Sequence, residues 1–143
     1  MTVQQSRARP RARLDRGQAL VEFAIVAPLL IVLVIGVFEV ARAWQAYQVV
    51  TDAAREGARN AVVDNSLTED SVKALVRNAI TRAALDPARI DSLGIAGFKT
   101  GQGDPTEVFL SYDYEWIWLR PLLGWLVGDA SLTLKSNIIM RQE

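Results

Sequence analysis

The chain has 143 residues, a formal net charge of zero, and neither cysteine nor histidine. Its length admits one compact domain beside a membrane segment. The composition excludes disulfides, thiol nucleophiles, histidine general bases and the usual zinc sites. The neutral total hides a division: residues 1–17 carry five arginines against Asp15, a net of +4, and the remainder carries −4.

The first stretch, residues 1–17, is polar, contains Pro10 and lacks an apolar run, which predicts disorder. Its positive charge lies directly against an apolar segment, and such charge holds that end of a membrane helix in the cytoplasm. Beyond the segment, Arg42, Arg55 and Arg59 are offset by Glu39, Asp52 and Glu56, so residues 42–143 are expected outside. The basic arm is read as a topology signal, with no nucleic-acid role.

Residues Phe23 to Phe38 form sixteen positions without a charge. As a helix, Ala19 to Ala41 covers about 35 Å, enough for a hydrocarbon layer of about 30 Å. The segment is apolar all round through Ala24–Val37, unlike a surface helix, and too little chain remains to wrap it in a soluble core. Residues 18–41 are therefore expected to cross a membrane once. Pro28 removes one backbone hydrogen bond and is expected to kink that helix. Ala41-Arg42-Ala43 loosely fits a secretory cleavage site, but the apolar run is too long and the helical pattern continues through it.

Glu22 has two readings. In an intact chain it lies about 6 Å along the axis from Gln18 and can stay at the headgroup level. If the chain is cut after Gly17, Gln18 becomes the first residue and Glu22 the fifth. The carboxylate then sits near a new ammonium, in the same chain or a neighbour.

A glycine followed at the fifth position by glutamate and then an aromatic, here Gly17, Glu22 and Phe23, resembles a type IV pilin-like leader. With RGQALVEFA, Pro28 and AAREGAR, the stretch from Arg16 to about Val62 closely resembles the TadE-like family of the tight-adherence (Tad, or Flp) pilus system. The C-terminal LTLKSNIIMRQE resembles it more loosely. The resemblance implies a minor pilin or pseudopilin of the inner membrane. Gly17, Gln18, Glu22 and Phe23 would be the residues read by a prepilin peptidase that cuts between Gly17 and Gln18. The implied partners are the lipid bilayer, that peptidase, other Tad pilins and the Tad inner-membrane platform. No cofactor, metal or small-molecule substrate is implied. With the leader retained, the alternative is a permanently anchored docking component.

Past the membrane segment, residues 42–63 keep a helical period. Trp44 and Tyr47 suit an interfacial aromatic belt. Ala53, Gly57 and Ala61 recur at four-residue steps beside Ala54 and Ala58, a smooth ridge for packing against the head or against a neighbouring subunit. Glu56 and Arg59 are spaced for a surface ion pair. Ser66-Leu67-Thr68-Glu69 reads as a capping box opening a second amphipathic helix that ends near Leu85.

Strand signals follow. Ile90 to Lys99 is a first strand, and residues 100–105 a turn. From Glu107 the period becomes two, placing Val108, Leu110, Tyr112, Tyr114, Trp116 and Trp118 on one face and Ser111, Asp113 and Glu115 on the other. Leu122 to Gly128 is an apolar connection whose Trp125 either packs under the sheet, the leading reading, or leaves an apolar patch for a partner or the outer leaflet. Leu132 to Arg141 alternates as a last strand. The aromatic stripe reads as core, not as a stacking surface for bases or sugars. Asp113 and Glu115 read as a solvated strand face, so no enzyme is expected. The fold class is α+β, a long helix and a second helix on a small antiparallel sheet. The expected divisions are a leader, 1–17, a span, 18–41, a helical continuation, 42–63, and a head, 64–143.

Overall fold

The structure, a computed structural model, describes residues 11–101, 103–121, 124 and 131–142, with side chains from Gly17 onward. The connection around Trp125 and residues 1–10 of the basic arm lie outside the described residues. The observed class is α+β: helix α1 (Arg11–Val63), helix α2 (Glu69–Arg82), a 3-10 turn at Pro87–Arg89, and strands β1 (Ile90–Ala96), β2 (Pro105–Glu115) and β3 (Ser131–Arg141). The chain divides into two compact units, Met1–Val37 and Phe38–Glu143.

Helix α1 begins at Arg11, inside the stretch expected to be disordered. From Arg11 to Arg16 the residues are Arg, Ala, Leu and Asp, mostly strong helix formers, and adding turns to an existing helix needs no new nucleus.

In the second unit, α1 buries one stripe: Glu39, Ala43, Ala46, Val50, Ala53, Ala54, Gly57, Ala58 and Ala61. The steps of three and four keep these positions on one face. Against that face lie Val72, Val76 and Ile80 of α2 and Val108, Leu110, Tyr112 and Tyr114 of β2. A Cβ added at Gly57 would come within 2.5 Å of Val76 Cγ2, so the missing side chain lets α2 approach. Each fully buried Val or Ile side chain contributes about 1.5–3 kcal/mol.

The start of α2 differs from the expected capping box. Thr68 is the N-cap, its hydroxyl accepting from the Ser71 amide at 3.2 Å, while Ser66 donates its amide and hydroxyl to the Asp64 carboxylate. The early Asp-x-Ser pairing forms a local turn that competes with the Ser66 cap. At the other end the helix stops at Arg82, earlier than Leu85, because Ala84 turns left-handed (φ 59°). The Leu85 amide then donates to the Ile80 carbonyl and the Ala84 amide to the Thr81 carbonyl, a Schellman closure. Leu85 packs against the core that contains Ile80.

The three strands form an antiparallel sheet in the order β1-β2-β3. The register pairs Val108 with Ile138, Tyr112 with Leu134 and Leu110 with Leu93, so one face carries the core. A bulge near Asp91 interrupts β1. On the opposite face Thr133 donates to Asp113 at 3.0 Å and Asn137 to Glu107 at 2.6 Å. At one end of the sheet Gln142 Nε2 donates to Thr106 Oγ1 at 2.9 Å and to the Gly97 carbonyl at 3.2 Å, which also accepts from Thr106. Gly97 has φ +67°, and a Cβ there would strike the Pro105 carbonyl at 2.2 Å.

Three strand expectations change. β1 ends at Ala96 and not Lys99, because Gly97 turns left-handed; Lys99 instead donates to the carbonyls of Asn65 and Leu67. β2 ends at Glu115, which removes Trp118 from the aromatic stripe and leaves it 59 % exposed. Ser111, expected on the solvated side, is buried between its cross-strand neighbours Ser92 and Lys135. A serine on a central strand is small enough for its neighbours to cover.

Candidate functional site

Two parts of α1 carry functional features. In the first unit, no described residue from Gly17 to Val37 is buried; Phe23, Ile25, Leu29 and Leu33 are each at least 60 % exposed. A run of apolar side chains around a whole helix is stable only where lipid or other apolar helices surround it. Gly17–Val63 contains the helix that is long and apolar enough to cross a membrane.

The residues singled out at the junction lie at the start of this run. Gly17 has open space around the position of a Cβ. Gln18 Nε2 donates to Glu22 Oε1 at 3.0 Å, one helical turn away, and Phe23 is 66 % exposed. The helix passes through the Gly17–Gln18 bond and through Pro28 without a break.

The small ridge lies in the second unit. Ala53, Ala54, Gly57, Ala58 and Ala61 are all buried, with Gly57 facing Val72, Val76 and Val108. The expected Glu56–Arg59 pair is replaced by other surface pairs: Arg55 meets Asp52 at 2.9 Å and Arg82 reaches Glu56 at 3.3 Å. Glu56 therefore joins α2 to α1 instead of bracing one turn of α1. Asp113 and Glu115 do not form an acid pair either. Asp113 accepts from Thr133, whereas Glu115 holds Arg89 at 2.8 Å and Arg120 at 3.6 Å. Among the described residues there is no group of acids that could hold a metal ion.

One residue was missed by sequence reasoning. Glu39 is fully buried. Its Oε2 accepts from the Tyr114 hydroxyl at 3.3 Å, and its Oε1 accepts from the Trp118 backbone amide. Burial, and after it the Glu39 charge, hold the Tyr114 phenol above its ordinary range, against a smaller opposing pull from Arg42. Tyr114 also meets Trp116 edge-on, with ring centroids 5.6 Å apart. A buried carboxylate with two donors fastens the segment after β2 to the helix, and costs much less than an unpaired one. The signal was spacing: Glu39 lies four residues before Ala43, on the same stripe as Ala46 and Val50.

Residues 17–59 match the model of the family described as TadE-like protein. The match begins at Gly17, covers the exposed apolar run, and ends in the buried stripe. No curated protein and no solved structure matches the chain. From Gly17 to Arg59, then, this chain is similar to the TadE-like family, along a helix that is long and apolar enough to cross a membrane and that continues into the core of an α+β head.

Proposed function

We propose that this protein is a minor pilin or pseudopilin of a Tad/Flp pilus machine. The observation that carries the reading is the coincidence of the TadE-like match with a helix whose first half exposes apolar side chains all round. In this reading residues 1–17 are a cytoplasmic leader and residues 18–41 cross the inner membrane. Residues 42–63 and 64–143 stand outside. The protein acts by assembly, without catalysis, cofactor or small-molecule substrate. Its partners are the bilayer, a prepilin peptidase, other Tad pilins and the inner-membrane platform.

Gly17, Gln18, Glu22 and Phe23 would present the cut site, after which Glu22 meets a Gln18 ammonium and fixes the stagger between packed helices. Pro28 would loosen one helical turn and ease extraction from lipid. Burial of the alanine–glycine ridge in the chain's own core supports head packing over a subunit contact for Ala53, Ala54, Gly57, Ala58 and Ala61.

A second reading keeps the leader and makes the protein a permanently anchored docking component. It is favoured by the continuous helix through the Gly17–Gln18 bond and by the Gln18–Glu22 hydrogen bond. A helical peptide bond must unwind before a peptidase can take it. Mass spectrometry of the mature N-terminus decides between them: Gln18 supports the pilin, Met1 the anchored component. Glu22→Ala should then reduce recovery in sheared filaments while leaving membrane insertion intact; unchanged recovery sinks the Glu22 role.

A further inference from the structure

We propose that the segment just after β2, Ile117–Trp118, is a second membrane contact, seated in the headgroup layer and held there by Glu39. The inference rests on the membrane reading above. It starts from an oddity: a buried carboxylate at the point where the apolar helix meets the head. Glu39 spends one oxygen on the backbone amide of Trp118, so that amide lies one hydrogen bond from the helix.

The neighbours of Glu39 set the level. Phe38 and Val40 flank it on α1 and are 65 % and 62 % exposed. A hydrocarbon layer of about 30 Å takes about twenty helical residues, so a layer entered near Ala19 ends near Phe38. Trp118 is thereby tied to the outer edge of that layer. Its side chain and that of Ile117 are 59 % and 49 % exposed, although the strand before them buries Tyr112 and Tyr114. Trp44 and Tyr47, with ring centroids 5.8 Å apart, lie about 7 Å and 12 Å further along the axis from Glu39. Exposed tryptophan and aliphatic side chains close to the edge of a hydrocarbon layer are what a lipid interface selects. The occupant is the outer leaflet of the membrane that α1 crosses, because the Trp118 amide is bonded to Glu39, the residue that follows the uncharged run of that helix.

The chain has no cysteine, so single nitroxide labels can be placed without background. The full-length protein is reconstituted in phosphatidylethanolamine–phosphatidylglycerol vesicles with one label at position 34, 66, 117 or 118, and collisions with oxygen and with a water-soluble nickel complex are compared. The label replacing Val34 reports the span and that replacing Ser66 the aqueous head. Labels at 117 and 118 are expected to favour oxygen several-fold over the Ser66 site, at a depth between the two references. Glu39→Ala should move the label at 117 towards the aqueous value, whereas Glu39→Gln, whose amide oxygen still accepts from the Trp118 amide, should hold it in place. Aqueous values at 117 and 118 with a lipid value at 34 overturn the proposal and leave the membrane reading standing. An aqueous value at 34 overturns both. Spin–spin broadening at 117 that disappears on dilution with unlabelled protein assigns the patch to a second copy and also overturns it. Unchanged immersion in Glu39→Ala overturns the anchoring role of Glu39.

Discussion

The two halves of α1 are one helix written in two chemistries. From Gly17 to Val37 the side chains are mostly apolar, many of them large, and none is buried; from Phe38 to Val63 the buried positions are mostly alanine and glycine. The first half tolerates bulk, because none of its described residues is buried. The second needs smallness, because α2 and β2 must come close to its backbone. A helix can serve both environments when residue size changes partway while helical propensity does not.

Matched substitutions in the two halves test that contrast, read as unfolding of the head in detergent. Gly57→Leu should give the largest effect, a loss of about 3 kcal/mol or more, since Val76 occupies the space; Gly36→Leu has nothing within 4 Å and should leave the head unchanged. Equal effects would dissolve the distinction. For the acids, Glu39→Ala strands a part-buried amide and a buried phenol and should cost about 2–3 kcal/mol, against no change for Glu22→Ala, whose partner is exposed. Val50→Ala empties a fully buried site and should cost about 2 kcal/mol, whereas Val34→Ala, at a position half exposed, should not register in the head.

The smallest effect is alkaline. Burial raises the Tyr112 and Tyr114 phenols, and near Tyr114 the Glu39 charge adds to it. The folded form therefore keeps protons that the unfolded chain releases. This contribution is full below about pH 10 and is lost as pH rises through the folded values. Denaturant midpoints at about pH 9 and about pH 11 should differ less in Tyr114→Phe than in the parent. An identical difference would remove Tyr114 from the account.

Much of this was legible in the chain. The uncharged run from Phe23 to Phe38 marks itself by its length and the alternation from Val108 to Tyr114 by its two-residue period, and the helix and the central strand lie there. Boundaries were harder, because they depend on competing local contacts. Thr68 won the cap since Ser66 bonded Asp64, and β2 stopped at Glu115 before the two-residue period in the sequence did. Glu39 escaped because a carboxylate beside a membrane span reads as an interfacial charge. Only the fold shows that Tyr114 and the Trp118 amide, about eighty residues later, arrive to meet it.

The knot that joins Gln142 to Thr106 and Gly97 has a consequence for the order of events during synthesis and folding. β2 is central, so its outer edge stays open until β3 has been delivered. The sheet can close only after the chain has been made through Gln142, so β1 and β2 must wait for the last strand. Until that moment the nascent polypeptide carries a half-finished sheet, with a central strand open to pairing with any other chain it meets.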